Sequence, residues 1–164
     1  MSNGLEIEHK YLIRMPSSQM LEMLSVSEIE QIYLKAEKGS VRIRKRDFGN
    51  RTEYTYTVKH RLSDLTRTEL EHEISAEEYL SLKRQIDPCR QMIRKKRYLY
   101  PFDGMLFEID VFPFWTDRAL MEIELEDEEQ LFRLPPAVAI VREVTSDRRY
   151  ANSSLAQSIP DENL

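Results

Sequence analysis

Charged or polar side chains return at every second position in eight separate stretches of this chain, and within most stretches they share one sign. In Glu6-Ile7-Glu8-His9-Lys10 the charges fall at 6, 8 and 10, between the apolar Leu5, Ile7, Tyr11 and Ile13. Arg42, Arg44 and Arg46 alternate with Val41 and Ile43, and Thr55, Thr57 and Lys59 alternate with Tyr54, Tyr56 and Val58. Arg67, Glu69, Glu71 and Glu73 interleave with Leu70, His72 and Ile74; Lys95 and Arg97 oppose Met92, Tyr98 and Tyr100. Glu108 and Asp110 oppose Phe107, Ile109 and Val111, and Glu122, Glu124 and Glu126 oppose Met121, Ile123 and Leu125. Residues 30–35 alternate more weakly, Gln31, Tyr33 and Lys35 against Ile32 and Leu34. Successive side chains of a strand point to opposite faces, so each stretch reads as a β-strand with one polar and one apolar face.

An open sheet whose charged face meets water explains any one of these strands. It explains the set less well, because a solvated face mixes signs. Here Arg42/Arg44 and Lys95/Arg97 are purely cationic, while Glu71/Glu73, Glu108/Asp110 and Glu122/Glu124 are purely anionic. Like charges set side by side repel unless something of opposite sign lies between them. The expected fold is therefore mainly β with flanking helices (α+β): a closed eight-stranded antiparallel barrel with a charged lumen and an apolar exterior under helical cover. Helices are expected at residues 19–24, from Ser75 (a Ser cap with Glu78 three residues on, and Tyr79, Leu80 and Leu82 as its apolar side), at 127–134 before Pro135-Pro136, and at 151–156. Residues 25–28 read as a connection, and 137–144 as apolar but of ambiguous type. Hairpin turns are expected at Phe48-Gly49-Asn50-Arg51 and at Asp103-Gly104.

At 164 residues the chain suits one domain over 1–164 with a sizeable core, and it carries no linker or low-complexity segment. Its formal net charge of -5 gives nucleic-acid binding no global support. The single cysteine, Cys89, excludes an internal disulfide and sits in a turn-like Asp87-Pro88-Cys89, so it is read as structural or incidental. There is no leader-like pattern and no apolar run of membrane-spanning length, which makes the cytoplasm the default compartment and leaves no membrane role.

The two kinds of strand ask for different ligands. Carboxylates without organised His or Cys are donors for a hard cation such as Mg²⁺ or Mn²⁺. Arg and Lys forks suit phosphate oxygens. Both in one cavity imply a polyphosphate held as a metal complex. No Gly-rich loop of the P-loop kind is present.

At these residues the sequence resembles the CYTH superfamily, also called triphosphate tunnel metalloenzymes. Glu6-Ile7-Glu8-His9-Lys10 matches the ExExK signature; Gln31 to Leu34 resembles QxYL, Val41 to Arg44 VRIR, and Thr57 to Lys59 TxK. Glu71 to Ile74 resembles ExEI, Lys95 to Tyr98 KxRY, Phe107 to Phe112 FExDVF and Glu122 to Glu124 ExE, and the stretch from Val144 to Leu155 resembles a closing VTxDxRYxNxxLA. His9, where relatives often have Arg, falls on the outward face. The resemblance implies an eight-stranded tunnel around a triphosphate and a divalent metal, Mg²⁺ or Mn²⁺. The small bacterial branch, in which inorganic triphosphate hydrolysis is the usual activity, is the one most resembled. The activities left open beside it are thiamine triphosphatase, class IV adenylate cyclase and a polyphosphate- or nucleotide-binding module without turnover. With the motifs matched, Glu6, Glu8, Glu122 and Glu124 are the first candidates for metal ligands, and Glu71, Glu73, Glu108 and Asp110 follow. One of these carboxylates is the alternative candidate for deprotonating the attacking water. Lys10, Arg42, Arg44, Lys59, Lys95 and Arg97 are the candidates to clamp the triphosphate, with Arg149 a candidate to reach the lumen from the closing segment. Glu6, Glu8, Lys10, Glu122 and Glu124 form the proposed catalytic set. Tyr33, Tyr98, Tyr150 and Trp115 are read as packing residues, and a homodimer is a family-level expectation.

Overall fold

The computed structural model describes residues 2–164. In chain order its elements are β1 (Ser2–Arg14), α1 (Ser18–Glu22), β2 (Ser25–Leu34), β3 (Ser40–Asp47), β4 (Thr52–Arg61) and β5 (Thr66–Glu73). There follow α2 (Ala76–Lys83), β6 (Ile93–Phe102), β7 (Met105–Val111), β8 (Arg118–Leu125), β9 (Ile140–Glu143), a 3₁₀ turn (Arg148–Tyr150) and α3 (Asn152–Leu155). All strand pairs are antiparallel, in the order β5-β4-β3-β2-β6-β7-β8-β1, and β5 also pairs with β1, which closes an eight-stranded barrel.

The closing strand divides its length between partners. Ser2 to Ile7 of β1 pairs with β5, from Ser2 opposite Glu71 to Ile7 opposite Thr66. Its other edge pairs with β8 from Ile7 opposite Leu125 to Arg14 opposite Arg118. Where β5 has left, Tyr11 to Ile13 takes up β9. The turns carry the chemistry their shapes require. Asp103 and Gly104 both have positive φ, 52° and 70°, as a two-residue hairpin of the primed type demands. Helix α2 begins with a reciprocal cap: Ser75 Oγ accepts from Glu78 N at 3.0 Å, and Glu78 Oε2 accepts from Ser75 N at 2.8 Å.

Outside the barrel, Ile7, Tyr11, Ile13, Phe107, Ile109, Met121 and Ile123 form one buried cluster, with Phe132, Val138 and Met20 packed against it. The opposite flank of Ile32, Leu34 and Ile43 lies under α2 through Tyr79. Inside the barrel the apolar pattern continues at one end only. Leu12, Tyr33, Ile93, Phe112 and Leu120 are in phase with the lumen residues, yet they form a dry cluster with Trp115, Val144, Tyr150 and Leu155. This plug closes the end from which β1 leads out and β8 leads in. Each side chain of this size buried there contributes roughly 1.5–3 kcal/mol.

Four local expectations change. Residues 127–134 form turns and irregular chain, not a helix. Asp127 Oδ1 accepts from Glu129 N at 2.9 Å and Gln130 Oε1 accepts from Glu126 N at 2.6 Å, so polar side chains take the backbone donors, and Pro135 leaves too few residues for a helix to propagate. Residues 25–28 belong to β2 because they pair with β6, Ser25 opposite Leu99. The ambiguous stretch 137–144 contains β9. Leu80 of α2 faces out, 61% exposed, and Tyr79 alone of that helix is buried. Among the described residues no helix is long and apolar enough to cross a membrane.

Candidate active site

One step along each strand from the plug, the inner face turns from apolar to charged: Leu12 gives way to Lys10, Leu120 to Glu122, Phe112 to Asp110, Ile93 to Lys95 and Tyr33 to Gln31. Lys10, Lys95, Arg97, Arg42, Asp110 and Glu122 are each at most 7% exposed. Ionised groups are that deeply buried only when paired or liganded.

Most of them are paired with one another. Lys10 Nζ lies 3.1 Å from Glu122 Oε1 and donates to the Tyr150 carbonyl at 3.3 Å. Arg97 grips Asp110 through two bonds of 2.8 and 2.9 Å and reaches Glu108 at 2.8 Å. Lys95 Nζ donates to the same Asp110 at 2.6 Å and to Asn152 Oδ1 of α3 at 3.2 Å. Nearer the open mouth, Lys59 meets Glu6 at 2.6 Å and Arg67 meets Glu8 at 3.1 Å. Arg44 is held by Gln31 Oε1 through bonds of 3.1 and 2.9 Å, and Thr57 Oγ1 donates to Glu71 at 2.7 Å.

The balance is incomplete, and the residue shows in the acidities. Burial and the neighbouring Glu122 push the Glu8 carboxyl up to about 7. Burial together with Glu6 and Glu108 raises Glu124 as well. Burial also tends to raise Glu6, Glu122 and Asp110, but cations prevail: Lys59 holds Glu6 below its ordinary value, Lys10 and Arg97 hold Glu122 well below, and Arg97 with Lys95 brings Asp110 to about 2. On the cation side, burial and the adjacent Arg42 and Arg97 lower Arg44 to about 9. Burial brings Lys95 down to about 7 against the pull of Asp110. Arg42 is the plainest case of unmet demand. It has no carboxylate within 4.0 Å among the described residues, and its buried Nε has no hydrogen-bond partner. A buried guanidinium in that state is a site for an anion.

The carboxylates fit a hard cation in donor type. Glu8 stands opposite Glu124, and Glu108 opposite Glu122, on neighbouring strands of the same wall. Directly opposed like charges repel, and an ion between them removes the cost. Among the described residues, however, no three His, Cys, Asp or Glu side chains are already gathered as a metal cluster. Glu6, Glu8, Glu108 and Glu122 are occupied by Lys and Arg, which a bound anion would draw away.

The candidates read from the sequence are not all brought together. Glu6, Glu8, Lys10, Arg42, Arg44, Lys59, Lys95, Arg97, Glu71, Glu108, Asp110 and Glu122 face the lumen, Glu124 lies exposed at its mouth, and Glu73 is exposed at the rim opposite Thr55. Asp110 is saturated by three cationic donors and acts first as their anchor. Arg149 does not join the group: it is 57% exposed and bonds Asp147 at 2.7 Å, because the Asp147 side chain caps the 3₁₀ turn and fixes it outward. Arg67 was in phase with Glu69 and Glu71 yet went unassigned; its place against Glu8 makes it a lumen cation. Gln31 and Thr57 were likewise in phase, and their neutral side chains concealed their role as holders of Arg44 and Glu71.

The comparisons agree with this geometry. The CYTH domain model matches residues 4–150. An inorganic triphosphatase from Nitrosomonas europaea is 36% identical over 160 residues, spanning 94% of this chain and 99% of its own. An inorganic triphosphatase from Acetivibrio thermocellus is 32% identical over 157 residues, spanning 94% and 95%. A crystal structure of an inorganic triphosphatase superposes with a TM-score of 0.60 at 32% identity, covering 94% of this chain and 96% of that one.

Proposed function

The chain belongs to the CYTH domain family, and from that premise we propose that it hydrolyses the terminal phosphoanhydride of inorganic tripolyphosphate, giving pyrophosphate and orthophosphate, with Mg²⁺ or Mn²⁺ as cofactor. The observation that carries the reading is Arg42, a buried guanidinium with no carboxylate within 4.0 Å among the described residues, in the same lumen as Glu8, raised by burial and Glu122, and Glu122, held low by Lys10 and Arg97.

Without substrate the lumen neutralises itself through Lys10–Glu122, Lys59–Glu6, Arg67–Glu8 and Arg97–Glu108. Binding is an exchange of partners. Arg42, Arg44, Lys10, Lys59 and Arg97 turn to phosphate oxygens, and Glu6, Glu8, Glu122 and Glu124 become the oxygen donors that would hold the cation. A divalent cation bound there supplies charge to offset what develops on the transferring phosphoryl group. Lys10, fixed by the Tyr150 carbonyl, and Arg97, fixed by Asp110, are already oriented, so little reorganisation accompanies the reaction. The apolar plug keeps bulk water from that end of the site. The proton of the attacking water passes to a lumen carboxylate that the cation leaves free. The leaving pyrophosphate keeps its charge compensated by the same cations. The chain works as a single domain over 1–164 in this reading.

The test is a substrate panel of tripolyphosphate, ATP and thiamine triphosphate with Mg²⁺ or Mn²⁺, read out as orthophosphate and as cyclic AMP. Orthophosphate from tripolyphosphate, fastest of the three, is expected. Cyclic AMP from ATP would replace the reading by a cyclase. Tight tripolyphosphate binding without release of phosphate would replace it by a binding module.

A further inference from the structure

The wall of the barrel has a seam. On one edge of β1 the partner changes from β5 to β9, and between Ile7 and Tyr11 no strand pairs there. Single bonds bridge the interval: Glu8 N to the Leu65 carbonyl at 3.2 Å, Lys10 N to Thr145 Oγ1 at 3.0 Å and Val144 N to the Lys10 carbonyl at 2.8 Å. A small cavity of about 10 Å³ sits at it, lined by the lumen residues Glu8, Lys10 and Arg67 and, further out, by Arg61, Thr145 and Arg148. That is room for about one water molecule. Arg61, Arg148 and Ala151 also line a basin of about 510 Å³ on the far side, together with Ser63, Ser153 and Ser154.

The charges form a path. Lys10 and Arg67 stand inside; Arg61 and Arg148 stand at the outer lip. The carboxylates along it are already engaged: Glu8 by Arg67, Asp64 by Arg61, and Asp147 by Arg142 and Arg149. Arg148 is exposed and has no carboxylate within 4.0 Å among the described residues. Its positive charge therefore faces the basin without a paired carboxylate among the described residues; Ser63, Ser153, Ser154 and the Asp64 engaged by Arg61 line the same basin.

We propose that the basin is a binding site for orthophosphate and the seam a side port by which that product leaves the lumen. The port role rests on the triphosphatase reading; the binding site does not. The plug seals the barrel end, and the longer product and the next substrate share the mouth. The side port separates the two products. Arg67 gives up Glu8 when substrate binds, so opening needs only Arg61 to leave the exposed Asp64, and each guanidinium is then free to meet phosphate oxygens.

The experiment titrates metal-free protein with inorganic phosphate and follows backbone amide resonances. The amides of Asp64, Arg148 and Ser153 are expected to shift together, and Arg148→Ala to weaken that response about tenfold. Arg148→Lys, which keeps the charge, should weaken it less, and the response of lumen amides such as Glu122 should be the same in all three proteins. Shifts confined to the lumen, or basin shifts indifferent to Arg148→Ala, would overturn the binding site. In turnover, inhibition by added orthophosphate should persist at saturating tripolyphosphate and weaken about tenfold in Arg148→Ala. Inhibition that saturating tripolyphosphate abolishes would overturn the port. A protein with no turnover but with basin shifts lost in Arg148→Ala would sink the triphosphatase reading and keep the binding site.

Discussion

Replacing Asp110 by Asn tests whether this carboxylate is an anchor or a metal ligand. The substitution keeps size and shape and removes one buried charge. In the native lumen Asp110 takes three bonds, from Lys95 and twice from Arg97, and is 1% exposed. Breaking a buried pair by neutralising one partner costs about 3–5 kcal/mol. Two features place the expected loss at the lower end. Arg97 keeps Glu108 at 2.8 Å and Glu122 at 3.9 Å, so it is not orphaned. Lys95 already sits at about 7, so shedding its proton near neutral pH costs under about 1 kcal/mol. A loss of about 3 kcal/mol corresponds to a fall in Tm of about 6–12 °C for a chain of this size. Thermal unfolding followed by circular dichroism measures it, and turnover is measured well below the transition. An anchor predicts the full drop in Tm and a partial loss of turnover, restored in part by lowering the assay temperature. A variant that melts within about 1 kcal/mol of the parent yet no longer responds to Mg²⁺ or Mn²⁺ would refute the reasoning and return Asp110 to the ligand set.

Arg42→Gln should leave Tm unchanged or slightly raised, because the cation it removes has no carboxylate within 4.0 Å among the described residues, while KM for tripolyphosphate rises about tenfold or more; an unchanged KM removes Arg42 from the substrate site. Glu8 binds its proton more tightly in the folded chain than in the unfolded one, so its protonated form favours folding fully below the ordinary carboxyl range of 4.5, and that favour is lost as pH rises through about 7. Glu8→Gln, a mimic of the protonated form, should match the parent's stability at about pH 4, exceed it by about 1–3 kcal/mol above pH 7, and be inactive; a stability difference independent of pH would contradict this. Arg149→Ala should keep full turnover and leave Tm nearly unchanged, since its ion pair with Asp147 is exposed; a collapse of kcat would bring Arg149 back into the lumen.

Alternation alone was enough to reveal the barrel wall. Charges at every second residue fix which side of each strand faces the lumen, and a one-residue slip would turn Lys10 or Glu122 outward. The same rule concealed the plug. Leu12, Leu120, Phe112, Ile93 and Tyr33 keep the lumen phase while changing polarity, and what covers them, Tyr150 and Leu155, arrives from a segment far along the chain. Periodicity records which face a residue takes, not what meets that face. The pairing of the charges was equally hidden. Arg67 needed Glu8, fifty-nine residues away, to become a lumen cation. Arg149 matched a closing motif, yet the neighbouring Asp147 turned it outward. Residues 127–134 failed as a helix for a local reason: their Asp and Gln side chains satisfied the backbone before a helix could.

The divided pairing of β1 also governs when the barrel can be completed. β1 is the earliest strand described, and its partners β8 and β9 are among the last to be synthesised. At ribosomal speeds, the interval between them is on the order of ten seconds. During that time the half of β1 that pairs with β8 and β9 is a strand with unmet edges, the kind of segment that recruits other chains. Glu6, Glu8 and Lys10 then have a duty before the barrel closes: alternating charge keeps a waiting strand soluble. A ribosome-held chain ending before β8 should leave the Tyr11 to Arg14 amides of β1 open to hydrogen exchange, and early protection there would show that the strand finds another partner first. The charges that later line the lumen would thus first keep neighbouring nascent chains apart.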